Sequence, residues 1–254
     1  MTNQVALITG GASGIGKATA IKLVNQGISV VISGRREDIG AASVTEIEAV
    51  AKDGAQVRFI CNDVTIEDDV KAMFEQIIAE FGRLDMAVNN AGLSNETTTL
   101  DQSDSQNYRD MIDTNIMGLY FCMKYEIDQM LKQGKGSIVN LASIAGLNGI
   151  PWAGAYASTK HAVVGLTKTS ALDHATQGVR VNGVAPGAVK TDIIAKQLEG
   201  GDENYNEANI KAMHPMNRLG KPDEIANGIS WLLSDEASFV TGHILSIDGG
   251  FQAK

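Results

Sequence analysis

Short apolar runs rich in β-branched residues alternate along the chain with longer stretches in which apolar residues recur every three or four positions. The short runs are apolar at nearly every position, as expected for strands of a parallel sheet that is covered on both faces. They predict strands at Val5–Thr9, Ile28–Ser33, Gln56–Cys61, Met86–Asn89, Ser137–Ala142, Arg180–Ala185 and His243–Ile247.

The longer stretches have the periodicity of helices, and they predict helices at Ile15–Gln26, Asp38–Asp53, Glu67–Phe81, Ser105–Lys132, Ala153–Gln177 and Asp223–Ser234. Because strands and helices alternate throughout, we expect an α/β fold: a single doubly wound parallel sheet of the Rossmann type, with helices on both faces. No linker, repeat or low-complexity segment interrupts the pattern. Residues 1–254 are therefore predicted to form one domain.

One long segment, residues 187–220, departs from this alternation. It contains Gly200-Gly201 and the polar residues 202–204, followed by a short predicted helix at Glu207–Met213. In a doubly wound sheet, ligands bind beyond the carboxyl ends of the strands, and this segment follows the sixth strand. We expect it to be a lid over the substrate, with an ordinary surface excursion as the alternative.

The charge balance bears on possible partners. The formal net charge of −9 argues against binding to nucleic acid or to anionic membranes. No apolar run approaches the ~20 residues of a membrane span, and no basic region precedes the first apolar run as in a secretion signal. Cys61 and Cys122 lie in separate stretches without metal-ligand spacing. A soluble, cytoplasmic protein without a metal follows as an expectation.

A glycine-rich turn, Thr9-Gly10-Gly11-Ala12-Ser13-Gly14-Ile15-Gly16, joins the first strand to the first helix. Glycines let the backbone approach a pyrophosphate closely, and the helix N-terminus adds free N–H groups and a partial positive charge. A turn of this kind between a first strand and a first helix predicts a dinucleotide site.

The end of the second strand bears on which dinucleotide binds. An NAD site needs a carboxylate there for the adenosine ribose, but Gly34 offers none. Arg35 and Arg36 can pair with a 2′-phosphate, which predicts a preference for NADP(H), with NAD(H) as the alternative cofactor. The competing interpretation is that both arginines are solvated charges at the start of a helix.

Tyr156 and Lys160 lie four positions apart on a predicted helix, so their side chains share one helix face. A lysine charge beside a phenol favours the phenolate, which lets a tyrosine exchange a proton with an alcohol or a ketone. Ser143, at the end of the fifth strand, is expected at the same mouth, where its hydroxyl can hold the substrate oxygen. Asn115 and Gly118 interrupt a long helical pattern and predict a local disruption of that helix.

Together these motifs resemble those of the short-chain dehydrogenase/reductase family, in its short single-domain branch. The resemblance spans essentially the whole chain and rests on Thr9-Gly10-x-x-x-Gly14-x-Gly16, Asp63-Val64, Asn89-Asn90-Ala91-Gly92, Asn115, Ser143, Tyr156-x-x-x-Lys160, Pro186-Gly187 and Asp248-Gly249-Gly250. It implies that Tyr156 is the general acid/base and that Lys160 holds the nicotinamide ribose. It also implies that Ser143 orients the substrate oxygen and that Asn115 holds a water of a proton relay.

The resemblance also implies a set of cofactor-binding positions. The pyrophosphate would lie against Gly10, Ser13, Gly14, Ile15 and Gly16, and the 2′-phosphate against Arg35 and Arg36. The remaining contacts would come from Asp63 and Val64 at the adenine, from Asn89, Ala91 and Gly92 along the cofactor, and from Pro186, Gly187, Val189 and Thr191 around the nicotinamide and a phosphate. Relatives are commonly tetramers, which predicts a homotetramer here.

The reaction predicted is hydride transfer between NAD(P)(H) and a small ketone or secondary alcohol. A 3-oxoacyl thioester reductase is the nearest alternative, although Gly134 and Gln177 stand where such enzymes usually carry basic residues. A nucleotide-sensing regulator without turnover is the remote one. The predicted pocket residues Leu147, Ile193 and Ile194 are apolar and favour a neutral substrate. Ile150 and Trp152 fit either a pocket wall or core packing.

Overall fold

Seven parallel strands form one sheet in the computed structural model, which describes residues 4–95, 97–199 and 206–253. The strand order is β3-β2-β1-β4-β5-β6-β7, so the chain winds outward from β1 in both directions. The strands are β1 (Val5–Thr9), β2 (Ser29–Gly34), β3 (Val57–Cys61), β4 (Met86–Asn89), β5 (Gly136–Leu141), β6 (Val179–Pro186) and β7 (Ile244–Ile247). The predicted doubly wound α/β fold is confirmed.

Helices cover both faces of this sheet. One face packs against α3, α5 and α6, and the other packs against α1, α2 and α9. The helices are α1 (Gly14–Val24), α2 (Glu37–Glu48), α3 (Glu67–Phe81), α4 (Ser105–Ile112), α5 (Leu119–Gln133), α6 (Gly154–His174), α7 (Asp192–Glu199), α8 (Glu207–Ala212) and α9 (Pro222–Leu233). Double coverage explains the apolar strands: Leu7 of β1 faces one layer, and Ala6 and Ile8 face the other.

Two predicted helix ends were wrong. Helix α2 ends at Glu48, whereas a helix to Asp53 was predicted, and α1 ends at Val24. The chain turns at Asp53, whose φ of 52° lies outside the helical region. The sequence also missed α7, because its apolar residues occupy barely two turns of helix.

The predicted disruption at Asn115 is confirmed. The expected helix Ser105–Lys132 is interrupted by a π-helical turn, Asp113–Gly118, that separates α4 from α5. A π-helical turn holds one more residue than an α-helical turn, so it displaces the side chains within it from the regular helix surface. Asn115 is thereby buried between α4 and the neighbouring α6.

The structure describes two helices of the predicted lid. Helices α7 and α8 lie within residues 187–220, whereas Gly200, Gly201 and residues 202–204 lie outside the described residues.

Over the described part of the chain, no helix is long and apolar enough to cross a bilayer. In the same residues, no group of three or more His, Cys, Asp or Glu side chains is arranged to hold a metal ion.

Candidate active site

A cleft of about 480 Å³ opens at the carboxyl ends of β4, β5 and β6. Tyr156 and Lys160 reach it from α6, and Ser143 reaches it from the end of β5. The predicted meeting of these three side chains at one mouth is therefore what the structure shows. Apolar side chains make up much of the remaining wall, including Leu93, Ile150, Trp152, Ile193, Ile194 and Met213.

Lys160 lies one helical turn after Tyr156, with its Nζ 5.7 Å from the centroid of the phenol ring. The lysine is only 5% exposed, and its Nζ donates a 2.7 Å hydrogen bond to the carbonyl oxygen of Leu141. Burial lowers the pKa of Lys160 to about 8. At neutral pH the side chain therefore carries its charge beside the phenol, and it loses that charge in mildly alkaline solution.

Ser143 ends β5 in an extended conformation and caps the short 3-10 turn that follows. Its Oγ accepts a 3.1 Å hydrogen bond from the backbone N–H of Ala145. Because this bond uses the oxygen as an acceptor, the hydroxyl proton remains to be donated to a ligand in the cleft.

The side chain of Asn115 is fully engaged by protein partners. Its Oδ1 accepts from the N–H of Leu93 at 2.7 Å, and its Nδ2 donates to the carbonyl of Leu93 and to Oγ1 of Thr159 at 2.9 and 3.0 Å. Asn115 thus ties the loop after β4 to the residue that precedes Lys160. A small cavity of about 10 Å³, which suits one water, lies between Asn115, Lys160 and Asn89.

The glycine-rich turn has the geometry of an anion cradle. Gly14, the first residue of α1, has a φ of +52°, and the first turn of the helix carries no acidic residue. A Cβ on Gly16 would lie 2.5 Å from the carbonyl oxygen of Gly10, so only glycine fits there. Thr191, at the start of the predicted lid, lies beside Gly14. The helix N-terminus can therefore receive a pyrophosphate between the turn and this threonine.

The adenosine end of the predicted cofactor site is more exposed. The Arg35 side chain is 62% exposed, and its guanidinium lies 3.9 Å from the carboxylate of Asp63. Arg36 is exposed at the start of α2, and Val64 is buried nearby. Gly34 supplies no carboxylate, and a Cβ placed on it would meet no atom within 4 Å.

Predicted residues of the Asn89–Gly92 segment fall into two groups. Gly92 lines the cleft, whereas Asn89 and Ala91 line the small cavity beside it. Asn90, which was not among the predicted contacts, lines the cleft and donates from Nδ2 to the carbonyls of Thr9 and Gly10. This segment therefore supports the glycine-rich turn as well as the cleft.

Comparisons with known proteins bear on this geometry. A family model described as enoyl-(acyl carrier protein) reductase matches residues 10–252. The chain is 41% identical over 256 residues to a 2,5-dichloro-2,5-cyclohexadiene-1,4-diol dehydrogenase of Sphingobium indicum, covering 100% of this chain and 98% of that one. It is 41% identical over 252 residues to the cyclohexanol dehydrogenase of Acinetobacter sp. (strain SE19), covering 99% and 96%. The chain belongs to the short-chain dehydrogenase/reductase family.

A solved structure of ElxO with NADP bound is similar to this short-chain dehydrogenase/reductase. It is 40% identical, with a TM-score of 0.91, and the match covers 99% of this chain and 100% of that one. The chain is thus an oxidoreductase that acts on CH–OH and C=O groups with NAD(P)(H), as predicted. The description of the family model names an enoyl reductase, but the two relatives are dehydrogenases of ring alcohols.

A buried histidine that the sequence did not single out joins two segments beside the cleft of this short-chain dehydrogenase/reductase. His214 is buried, and its Nε2 accepts a 3.1 Å hydrogen bond from the N–H of Ala188. Its Nδ1 therefore carries the proton and donates to the carbonyl of Ile210 in α8 at 2.8 Å. This imidazole joins α8 to the Pro186–Val189 segment, and nothing in its local sequence distinguishes it from a surface histidine.

One predicted pocket residue was wrong. Leu147 packs against the hydrophobic core on the α3, α5 and α6 face of the sheet instead of lining the cleft. Leu147 directly follows the 3-10 turn at Ile144–Gly146 of this short-chain dehydrogenase/reductase.

Proposed function

We propose that this enzyme interconverts neutral cyclic ketones and the corresponding secondary alcohols, with NADP(H) as its preferred cofactor. The observation that carries the proposal is the composition of the cleft. Tyr156 and Ser143 present hydroxyl groups among largely apolar walls, and Lys160 is the only charged side chain among the described residues that line it.

Tyr156 is the general acid/base of the proposed reaction. In the direction of reduction its phenol donates a proton to the carbonyl oxygen, and in oxidation its phenolate removes the alcohol proton. The charge of Lys160 stabilises the phenolate, and the hydroxyl of Ser143 donates a hydrogen bond that orients the substrate oxygen. When bound, NADP(H) supplies or accepts the hydride.

Asn115 is proposed to support the proton supply of this site. The cavity that it shares with Lys160 accommodates one water, which can pass a proton between the lysine and bulk solvent. The bonds from Asn115 to Leu93 and Thr159 fix the wall of this cavity.

The glycine-rich turn and the ends of the strands supply the proposed cofactor contacts. We infer that the positively charged Arg35 and Arg36 bind a 2′-phosphate, because Gly34 supplies no carboxylate for a free ribose hydroxyl. The full set comprises Gly10, Ser13, Gly14, Ile15, Gly16, Arg35, Arg36, Asp63, Val64, Asn89, Ala91, Gly92, Tyr156, Lys160, Pro186, Gly187, Val189 and Thr191. The similar structure of ElxO has NADP bound, which supports NADP(H) as the preferred cofactor.

A neutral substrate follows from the charges around the cleft. Lys190 and Lys196 are exposed, and Lys211 pairs with Glu207, so none of these lysines lines the cleft. A carboxylate buried between the apolar walls would lack a partner at a cost of several kcal/mol. The relatives named for cyclohexanol and a chlorinated cyclohexadiene diol support a ring-shaped substrate.

A 3-oxoacyl thioester is the second candidate substrate, favoured by the acyl carrier protein in the family description. The surface gives it less support. Near Gly134, Lys132 pairs with Asp128 and Lys135 pairs with Asp235, so neither lysine is a free partner for an acidic carrier protein.

Three further features complete the proposal. Residues 187–220 act as a lid, joined to the cleft floor through His214.

Copies of the chain assemble as a homotetramer through exposed apolar side chains such as Tyr120 and Leu172. Met111 on α4 and Met130 on α5 cannot contribute, because both are fully buried. We place the enzyme in the cytoplasm, where Cys61 and Cys122 stay reduced.

A direct assay tests the proposed function. Purified enzyme is mixed with cyclohexanone and either NADPH or NADH, and the loss of reduced nicotinamide is followed by ultraviolet absorbance. We expect turnover with a higher kcat/KM for NADPH. If an acetoacetyl thioester is a better substrate than cyclohexanone, the second candidate is favoured instead.

A further inference from the structure

Trp152 adopts a backbone conformation that tryptophan rarely takes, with a φ of 60°. Among the described residues, Asp53 and Asn217 are the other non-glycine residues with positive φ. Asp and Asn tolerate this left-handed region because their short polar side chains bond locally, whereas a bulky side chain there is an outlier. The placement of a tryptophan at this point therefore needs a physical reason.

A tight turn imposes this conformation. The N–H of Ala153 donates to the carbonyl of Ile150 at 3.2 Å, which makes Pro151 the second and Trp152 the third residue of a four-residue turn. Proline second and a positive φ third define a type II turn, whose third position normally holds glycine or asparagine. The N–H of Thr98 then fixes the turn by donating to the carbonyl of Trp152 at 2.8 Å.

Burial does not account for the tryptophan. Trp152 leaves 40% of its surface exposed, unlike a residue retained for core packing. It lies four positions before Tyr156 and lines the active-site cleft, as do Ile193 and Ile194 of α7. The strained residue is thus at the mouth of the site, where conformational strain is typically retained for function.

We propose that Trp152 is a specificity-determining residue, whose indole forms a flat wall that favours ring-shaped ketones over open-chain ketones of the same size. This inference rests on the proposed function. A preformed ring can lie against an indole without losing internal rotations, whereas an open chain must be ordered before it makes the same contact. The substrate class accepted by Tyr156 is then set by shape as well as by charge.

The first arm of the test measures thermal stability. Trp152→Gly and Trp152→Ala both remove the indole, but only glycine also relieves the left-handed backbone. We expect Trp152→Gly to melt at least about 2 °C above Trp152→Ala. At an unstrained position alanine is the more stable of the two, so the opposite order would overturn the argument from the turn.

The second arm compares kcat/KM for cyclohexanone with that for open-chain 2-hexanone. In Trp152→Gly and Trp152→Ala, we expect the ratio of kcat/KM for cyclohexanone to kcat/KM for 2-hexanone to fall by at least about 10-fold, because KM for cyclohexanone rises. Trp152→Phe retains an aromatic wall and keeps the preference within about 3-fold of the wild type. Asp53→Gly, which relieves a positive φ far from the cleft, is the control whose ring preference should not change.

The two arms separate failure of this inference from failure of the proposed function. If the wild type reduces ketones and Trp152→Gly keeps the wild-type ring preference, the role of Trp152 is overturned and the proposed function stands. If the wild type reduces neither ketone, the proposed function is wrong and the role of Trp152 falls with it. The melting order reports on the turn in either case.

Discussion

The fully buried carboxyl group of Glu126 accepts a 2.9 Å hydrogen bond from the side-chain amide of Asn89. Asn89 also donates to Asn140, which donates to Thr167 on α6, each over 2.9 Å. This chain of polar groups crosses β4 and β5 and ends two helical turns beyond Lys160. Glu126 is the only ionisable side chain among these four residues. A change in its protonation state therefore adds a charge to the enzyme interior or removes one from it.

Glu126→Gln should stabilise the enzyme in mildly alkaline solution. Burial raises the pKa of Glu126 from 4.5 to about 8, so between these values the unfolded chain releases a proton that the folded chain keeps. Unfolding then becomes easier as pH rises, by at most about 1.4 kcal/mol per pH unit, until the pH passes the folded pKa. Glutamine cannot ionise and still accepts from Asn89.

Calorimetric melting at two pH values tests this prediction. At the lower value, near the unfolded pKa, the wild type and Glu126→Gln should melt within a few degrees of each other, and near the folded pKa the variant should melt higher. Exposed Glu75 on α3 provides the control, since Glu75→Gln should show no such pH-dependent gain. A variant that is less stable at the alkaline value would show that Glu126 is needed as a carboxylate.

Tyr156→Phe should lower kcat by at least about 100-fold, because it keeps the ring beside Lys160 and removes the proton that the substrate exchanges. Binding of NADPH, measured by its fluorescence, should remain close to that of the wild type. Tyr120→Phe removes the hydroxyl of an exposed tyrosine on α5 and should leave kcat unchanged. Near-normal turnover by Tyr156→Phe would rule out the phenol as acid/base.

The double variant Gly34→Asp/Arg35→Ala should shift cofactor preference from NADPH toward NADH by at least about 10-fold in Kd. There is room for the new side chain, because a Cβ on Gly34 meets no atom within 4 Å. Arg58→Ala removes an arginine charge away from the site and should leave the ratio unchanged. The assignment of the phosphate contact fails if the wild type already binds NADH more tightly than NADPH.

A carboxylated analogue tests the neutrality of the cleft. We expect cyclohexanone to exceed 4-oxocyclohexanecarboxylate in kcat/KM by at least about 10-fold, since the carboxylate would be buried without a partner. Ile194→Lys adds a cation to the cleft wall and should improve the acid, whereas Ile194→Met should not. A wild type that prefers the acid would show that a lysine of the lid reaches the substrate.

The assembly prediction is tested by light scattering. We expect a mass of four chains for the wild type at micromolar concentration, and a smaller mass for Leu172→Asp, which places a charge on an 82% exposed apolar residue of α6. Val50→Asp alters an exposed valine just after α2, on the opposite face of the sheet from α5 and α6, and should leave the mass unchanged. A monomeric wild type would contradict the prediction.

Local patterns predicted the parts of this enzyme that depend on neighbours in sequence. The four-residue spacing placed Tyr156 and Lys160 on one helix face, and Asn115 in an apolar helical pattern indicated the break in that helix. Continuous apolar strands indicated a sheet covered on both sides. In each case the physical cause lies within a few residues of its effect, so a single sequence suffices.

Contacts between distant segments were not predictable in this way. Glu126 is separated from Asn89 by 37 positions, and the bond from Ala188 to His214 spans 26. The left-handed φ of Trp152 also depends on Thr98, which holds the turn from another segment. Such features arise only when the fold brings the partners together, and no periodicity in the sequence records them.

The π-helical turn at Asp113–Gly118 makes the protein sensitive to the deletion of a single residue at this point. Losing a single codon from the turn would let α4 and α5 join as one regular helix, since the turn holds one residue more than an α-helix needs. The two helices would keep their relative orientation, because the turn absorbs the extra residue, but the side chains within it would return to the regular helix surface. Asn115 would lose Leu93 and Thr159, so an in-frame deletion of one residue here should be more damaging than many substitutions.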